Sequence, residues 1–142
     1  MLQNTQEIPN LSAQEAWDFL KENTNALLID VRTTPEWIFI GQPDLATLNK
    51  KLISISWRHY PSMQINPNFA DEITAQIEDK KTPLLFLCRS GGRSYDAAVC
   101  MKEAGYAECY NVETGFEGEP NAEGKRGVSE GWKAVSLPWV QQ

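Results

Sequence analysis

The residues of this chain best suited to chemistry are a cysteine and the short polar loop that follows it. The loop reads Cys88-Arg89-Ser90-Gly91-Gly92-Arg93-Ser94 and comes directly after an apolar run at residues 83–87. Its glycines allow successive backbone N–H groups to converge on one point, where they can hold an anion. A helix that begins there adds the positive end of its dipole. Because these groups and the two arginines stabilise a thiolate, we expect Cys88 to be a nucleophile.

Short apolar runs and helical spacings predict the elements that position this loop. Ser12 and Glu15 form the capping-box pattern Ser-x-x-Glu at the start of a first helix. Apolar spacing predicts two further helices, at residues 69–77 and 94–104. Strands are predicted at residues 26–31, 51–57, 84–87 and 108–112. The cysteine loop therefore joins a predicted strand to a predicted helix.

The alternation of helices with short apolar strands indicates an α/β domain with a mainly parallel sheet. In such sheets ligands bind at the carboxyl ends of the strands. Asp30 ends one predicted strand and Cys88 follows another, so we expect the two residues to be neighbours. Residues 33–49 have no clear pattern, and residues 117–131 read as a surface loop. Trp132 and residues 137–139 are expected to form a tail that packs back onto the domain.

Length, charge and cysteine content exclude several classes of protein. The 142 residues suit one domain over residues 1–142, with a core at about 11–138. A net charge of −6 argues against a general nucleic-acid-binding protein. No apolar stretch is long enough to span a membrane, and residues 1–7 lack the pattern of a secretory signal. Three cysteines without a Cys-x-x-Cys pair predict neither a disulfide framework nor a thiolate zinc site, which favours a cytoplasmic protein.

Taken together, these motifs resemble those of the rhodanese-like sulfurtransferase family. The cysteine loop is similar to the family's active-site pattern, Cys-Arg-x-Gly-x-Arg followed by Ser or Thr. Asp30-Val31-Arg32 resembles the Asp-Val-Arg that ends an early strand in the family, with Glu36 a few residues later. Residues 111–116 and Gly131-Trp132 resemble the closing segment. The resemblance covers nearly the whole chain and implies a mainly parallel central sheet flanked by helices on both faces.

The resemblance also implies a reaction, the transfer of one sulfur atom through a persulfide. Cys88 would attack the outer sulfur of a donor such as thiosulfate, and a thiophilic acceptor, cyanide or a thiol, would then remove that sulfur. Arg93 would balance the negative charge of donor and persulfide, and Arg89 would lock the loop or attract the donor. The other loop residues would complete the cradle: Ser90, Gly91, Gly92 and Ser94. Asp30 and Arg32 would orient the loop from behind, or would only form an ion pair at the strand end.

The same resemblance predicts which molecules the protein uses. It implies no metal and no organic cofactor. The expected partners are a small anionic sulfur donor and a thiol or protein sulfur acceptor, with no nucleic acid and no membrane. The expected state is a monomer or a weak homodimer.

Three alternatives are weaker than sulfur transfer. Tyrosine-type phosphatases place five residues between cysteine and arginine, whereas four separate Cys88 from Arg93, and the smaller ring suits one sulfur atom better than phosphate. A phosphatase also needs a general acid, and nothing in the sequence singles out Asp30 or Asp96 for that role. An arsenate-reductase-like enzyme belongs to the same alternative. A Cys–His hydrolase would depend on the single histidine, His59, which is more simply a loop residue with a structural hydrogen bond. A rhodanese-like binding module without activity is the third alternative, but such modules usually lack the cysteine.

Other features of the chain have simpler interpretations or depart from the family pattern. Cys100 and Cys109 fall in predicted elements and are expected to be buried, unreactive thiols. The tryptophans are expected to pack in the core or its rim rather than to line a cleft. The Gly-His-Ile that many single-domain rhodaneses carry is absent, the segment over residues 33–50 is long, and residues 117–131 read as an insertion. Our hypothesis is that these two segments border the site and select its partner.

Overall fold

The computed structural model describes residues 7–141, so the prediction about a signal at residues 1–7 lies almost entirely outside it. Numbered in chain order, the helices are α1 (Ala13–Glu22), α2 (Thr34–Phe39), α3 (Phe69–Gln76) and α4 (Gly92–Glu103). The strands are β1 (Asn10–Leu11), β2 (Leu27–Asp30), β3 (Gln42–Pro43), β4 (Ile53–Ser54), β5 (Arg58–His59), β6 (Gln64–Ile65), β7 (Leu84–Leu87), β8 (Cys109–Val112) and β9 (Trp139–Val140). Within the described residues, no helix has the length and apolar character that crossing a membrane requires.

The centre of the fold is a five-stranded sheet with the order β1-β8-β7-β2-β4, and all of its pairings are parallel. The order brings β2 and β7 side by side, with Asp30 opposite Leu87, the residue before Cys88. The predicted proximity of Asp30 and Cys88 is therefore confirmed. Two short antiparallel pairs, β3 with β9 and β5 with β6, lie outside this sheet.

Helices cover both faces of the sheet, as expected. Alternate residues of β7 point to opposite sides: Phe86 packs with α3 and α4, and Leu87 packs with α1. Trp132 is fully buried on the α1 side, where its ring meets Trp17 edge-on and its indole N–H donates to the carbonyl of Pro138. Trp132 and Leu137 of the predicted tail thus belong to the core on that side of the sheet, whereas Trp139 is exposed.

The local patterns of the sequence predict α1, α3, α4 and the longer strands of the central sheet, but not α2, which lies where no clear pattern was found. Ser12 and Glu15 form both bonds of the capping box at the start of α1. The strand predicted at residues 51–57 is only two residues long in the structure, β4. Beyond it, the N–H groups of Ile55 and Trp57 still donate to the carbonyls of Asp30 and Val31. The helix predicted at residues 94–104 begins two residues earlier, at Gly92, because the glycine loop itself supplies its first turn.

Candidate active site

Cys88 lies where β7 ends and the chain turns into α4. The residue is 1% exposed. The backbone N–H groups of Gly91 and Ser94 donate to its sulfur at 3.1 and 3.4 Å, and the Ser94 hydroxyl lies 3.3 Å from the same atom. Hydrogen bonds of this kind are stronger to a charged acceptor than to a neutral one. The arrangement therefore stabilises negative charge on Cys88.

The same turn carries further backbone N–H groups that do not donate to the sulfur of Cys88. Those of Ser90, Gly92 and Arg93 have no acceptor among the described residues. The first N–H groups of a helix have no partner within the helix. They are therefore available to an atom bonded to the sulfur, such as the outer sulfur of a persulfide.

Asn111 on β8 positions the Ser94 hydroxyl. The amide nitrogen of Asn111 donates to the carbonyl of Gly91 at 3.2 Å and to the side-chain oxygen of Asn10 at 3.0 Å. Its amide oxygen consequently faces the Ser94 hydroxyl, at 2.5 Å. A hydroxyl has one proton, and here either Asn111 or the sulfur of Cys88 can accept it. Ser94 thus gives the site a donor that can turn towards the sulfur when negative charge develops there.

Two glycines with positive φ allow the chain to pack tightly around the loop. Gly91 has φ +107°, and a Cβ there would overlap the carbonyl oxygen of Glu113. Gly115 has φ +64°, and a Cβ there would overlap the carbonyl group of Arg89. The N–H of Phe116 donates to the carbonyl of Cys88 at 2.9 Å. The cysteine loop therefore packs directly against the segment after β8.

Arg93 forms a bidentate ion pair with Glu36 of α2. The two nitrogen–oxygen distances are 2.8 and 3.0 Å, and the two side chains are 17% and 20% exposed. Glu36 also accepts hydrogen bonds from the backbone N–H and the hydroxyl of Thr33. Burial alone would raise the pKa of Glu36, but the hydrogen bonds and charge of Arg93 and the bonds from Thr33 outweigh it and lower the pKa to about 2. Glu36 is therefore ionised at neutral pH and balances the charge of Arg93.

An open cavity of about 320 Å³ lies beside the loop, and Cys88 itself is not among the residues of its wall. Both arginines of the loop belong to its wall, and the other lining residues come from the start of α2 and from the β5–β6 hairpin. The complete lining is Thr33, Pro35, Glu36, Tyr60, Met63, Arg89 and Arg93. The segment over residues 33–50 therefore borders the site through its first residues, whereas none of the lining residues comes from residues 117–131.

Comparison with known proteins identifies the family of this chain. A family model described as the STR4 middle domain matches residues 9–142. The "Rhodanese-like domain-containing protein 4, chloroplastic" of Arabidopsis thaliana is 29% identical over 131 residues, 92% of this chain and 25% of that protein. This chain belongs to the rhodanese-like family. The "Uncharacterized protein RP600 homolog" of Rickettsia rickettsii is 42% identical over 93% of this chain and 97% of its own length. The crystal structure of Rv0390 from M. tuberculosis superposes with a TM-score of 0.87 at 42% identity, covering 94% of this chain and 98% of that one.

In this rhodanese-like domain Asp30 and Arg32 pair with each other. They are fully buried, and the shortest distance between their charged groups is 2.7 Å. Arg32 also donates to the carbonyl of Gly41 and lies 4.4 Å from the centre of the Phe116 ring. Because the backbone N–H of Phe116 donates to the carbonyl of Cys88, Arg32 contacts a residue that supports the loop. Asp30 lies opposite Leu87, the residue before Cys88.

The remaining candidates of the sequence are not part of the cysteine loop or the cavity wall. Burial raises the pKa of Cys100, and burial raises that of Cys109 to about 12, so both are held as thiols at neutral pH. His59 is exposed on β5 and is not part of the cavity wall. No tryptophan belongs to that wall, in keeping with their predicted packing role.

Two residues of the site were not assigned a role from the sequence. Glu36 had a local signal, because Thr33-x-x-Glu36 is the same capping-box pattern that identified the start of α1. Its partner Arg93 is 57 residues away, and no local pattern indicates that contact. Asn111 had no comparable signal, because its role depends on the pairing of β7 with β8.

Proposed function

We propose that this protein is a sulfurtransferase that moves a sulfane sulfur from an anionic donor to a thiophilic acceptor through a persulfide on Cys88. The observation that carries the proposal is the set of donors around the cysteine. Two N–H groups bind its sulfur, and those of Ser90, Gly92 and Arg93 are free for a second atom. The rhodanese-like family supplies the chemical class, and the site supplies a nucleophile with the surroundings that this chemistry needs.

The reaction takes two displacements at sulfur. With thiosulfate as donor, the Cys88 thiolate forms a bond to the outer sulfur, the bond between the two donor sulfurs breaks, and its electron pair leaves on sulfite. The charge stays on the outer sulfur of the new persulfide, where the free N–H groups stabilise it as an oxyanion hole stabilises oxygen. Cyanide or a thiolate then attacks that sulfur, and the electron pair of the persulfide bond returns to Cys88. No metal or organic cofactor takes part in either step.

A phosphatase reaction has less support from the same residues. It requires an acid that protonates the leaving group. Asp30 is fully buried in its pair with Arg32, and Asp96 is not part of the cavity wall. Neither carboxyl group is therefore positioned to protonate the leaving group of a substrate bound at Cys88.

Turnover separates the candidate functions. We expect the purified protein to form thiocyanate from thiosulfate and cyanide, the Cys88→Ala variant to lose this activity to background, and the Cys100→Ala variant to retain it. A folded protein without turnover for any thiophilic acceptor would be a binding module instead. Release of phosphate from an aryl phosphate, dependent on Cys88, would favour the phosphatase. As part of the same proposal we place the activity in the cytoplasm, where thiols stay reduced.

A further inference from the structure

The cavity beside the cysteine loop carries less positive charge than the two arginines in its wall suggest. Arg93 is held by both carboxylate oxygens of Glu36, at 2.8 and 3.0 Å. Thr33 holds the same carboxylate in place through its N–H and its hydroxyl, at 3.2 and 2.8 Å. Among the charged residues of the wall, Arg89 is therefore the one whose charge is not balanced within the wall.

The wall of the cavity also has an apolar side. Pro35, Tyr60 and Met63 line it, and Tyr60 is 63% exposed. Apolar residues in the wall of a pocket suit the apolar part of an organic ligand. The volume of about 320 Å³ falls in the range of pockets that hold organic ligands and exceeds what a five-atom ion fills.

We propose that Glu36 sets the charge selectivity of this cavity, and that the protein prefers singly charged organic sulfur donors to the dianion thiosulfate. The class of donor is an organic persulfide or thiosulfonate, in which one negative charge meets Arg89 and an organic body meets the apolar side. This inference rests on the proposed sulfur transfer and names its donor. The Glu36 carboxylate repels each unit of donor charge, so its cost to a dianion is about twice its cost to a monoanion in free energy.

A comparison of three sulfur donors separates the effect of donor charge from the effect of donor size. Thiosulfate carries two charges; methanethiosulfonate and benzenethiosulfonate carry one each, on a small and a large body. With a thiosulfonate, the Cys88 thiolate bonds to the terminal sulfur, the sulfur–sulfonyl bond breaks, and its electron pair leaves on the sulfinate. The quantity to measure is the second-order rate constant of persulfide formation, by rapid quench and intact-protein mass at low ionic strength. Each constant is divided by that of the same donor with free cysteine, which removes differences in intrinsic reactivity.

For the wild-type protein we expect the normalised rate constants to rise from thiosulfate to methanethiosulfonate to benzenethiosulfonate. In Glu36→Gln, the amide oxygen can still cap α2 but the charge is gone. We expect this variant to accept thiosulfate about tenfold faster and both thiosulfonates about threefold faster, because the gain scales with donor charge. Glu22→Gln removes an exposed carboxylate at the end of α1, outside the cavity wall, and should change no donor by more than about twofold.

The outcomes separate this inference from the function on which it rests. If Glu36→Gln changes all three donors by the same factor, Glu36 has a structural role and the charge selectivity is wrong. A wild-type protein that prefers thiosulfate after normalisation also contradicts the inference, while leaving persulfide formation intact. If no donor places sulfur on Cys88, the proposed function itself fails.

Discussion

Glu36 and Arg93 are 57 positions apart in the chain, and their ion pair joins the start of α2 to the first turn of α4. Partly buried bidentate pairs of this kind contribute more than exposed surface pairs, because both side chains are already ordered. The pair therefore influences stability as well as the charge of the cavity. It also restrains the side chain of Arg93 beside the cysteine loop.

The stability contribution of Glu36 depends on pH in a defined direction. Its pKa is lowered from 4.5 to about 2 in the folded protein, so the stabilisation is fully present above pH 4.5 and is lost as the pH falls towards 2. We expect Glu36→Gln to unfold more easily than wild type at pH 7, by about 1–2 kcal/mol after allowance for solvent screening. Denaturant titrations of both proteins from pH 7 to pH 2 measure the difference. A difference that stays constant over this range would show that the carboxylate charge contributes nothing.

At the scale of elements, the first turn of α4 serves two purposes. It ends the loop with Gly91 in a left-handed conformation, and it presents its N–H groups to the cysteine sulfur. The helix therefore starts earlier than apolar spacing predicts, since the first polar and glycine residues carry no hydrophobic signal. The same backbone turn therefore begins the helix and supplies the N–H groups that surround the sulfur of Cys88.

Two adjacent glycines in this turn give a matched test of that arrangement. A Cβ at Gly91 would overlap the carbonyl oxygen of Glu113 at a positive φ, whereas a Cβ at Gly92 would meet nothing within 4 Å. We expect Gly91→Ala to lower the free energy of unfolding by at least about 2 kcal/mol. Gly92→Ala should leave it unchanged or raise it by up to about 1 kcal/mol, because alanine is the better helix former. Urea denaturation compares the two; equal losses of stability would contradict the packing of the loop against the segment after β8.

Local patterns in the sequence predict the longer elements of the fold, but they miss α2 and several two-residue strands, namely β1, β3, β5, β6 and β9. They predict the contacts between elements less well. The capping box of Ser12 and Glu15, the apolar run of β7 and the glycine loop are local signals, and the parallel α/β sheet follows from their order. The Arg93–Glu36 pair and the contact of Asn111 with Ser94 join residues that only the folded sheet brings together. Their geometry depends on strand order and register, which local patterns do not specify.

At the scale of the whole molecule, the order of the sheet places the site. β7 lies between β8 and β2, so Cys88 has Asn111 on one side and the segment from Asp30 to Glu36 on the other. Trp132, buried against α1, ties the end of the chain to the same layer as Phe116. Cys88 is thus positioned by segments that are far apart in the chain.

The mass of the intact protein shows whether one sulfur atom passes through Cys88. After treatment with thiosulfate or benzenethiosulfonate and removal of the donor, we expect the protein to gain the mass of one sulfur atom. Peptide mapping should place that atom on Cys88, cyanide should remove it, and Cys88→Ala should not acquire it. Sulfur that appears on Cys100 or Cys109, or that persists in Cys88→Ala, would contradict sulfur transfer through Cys88.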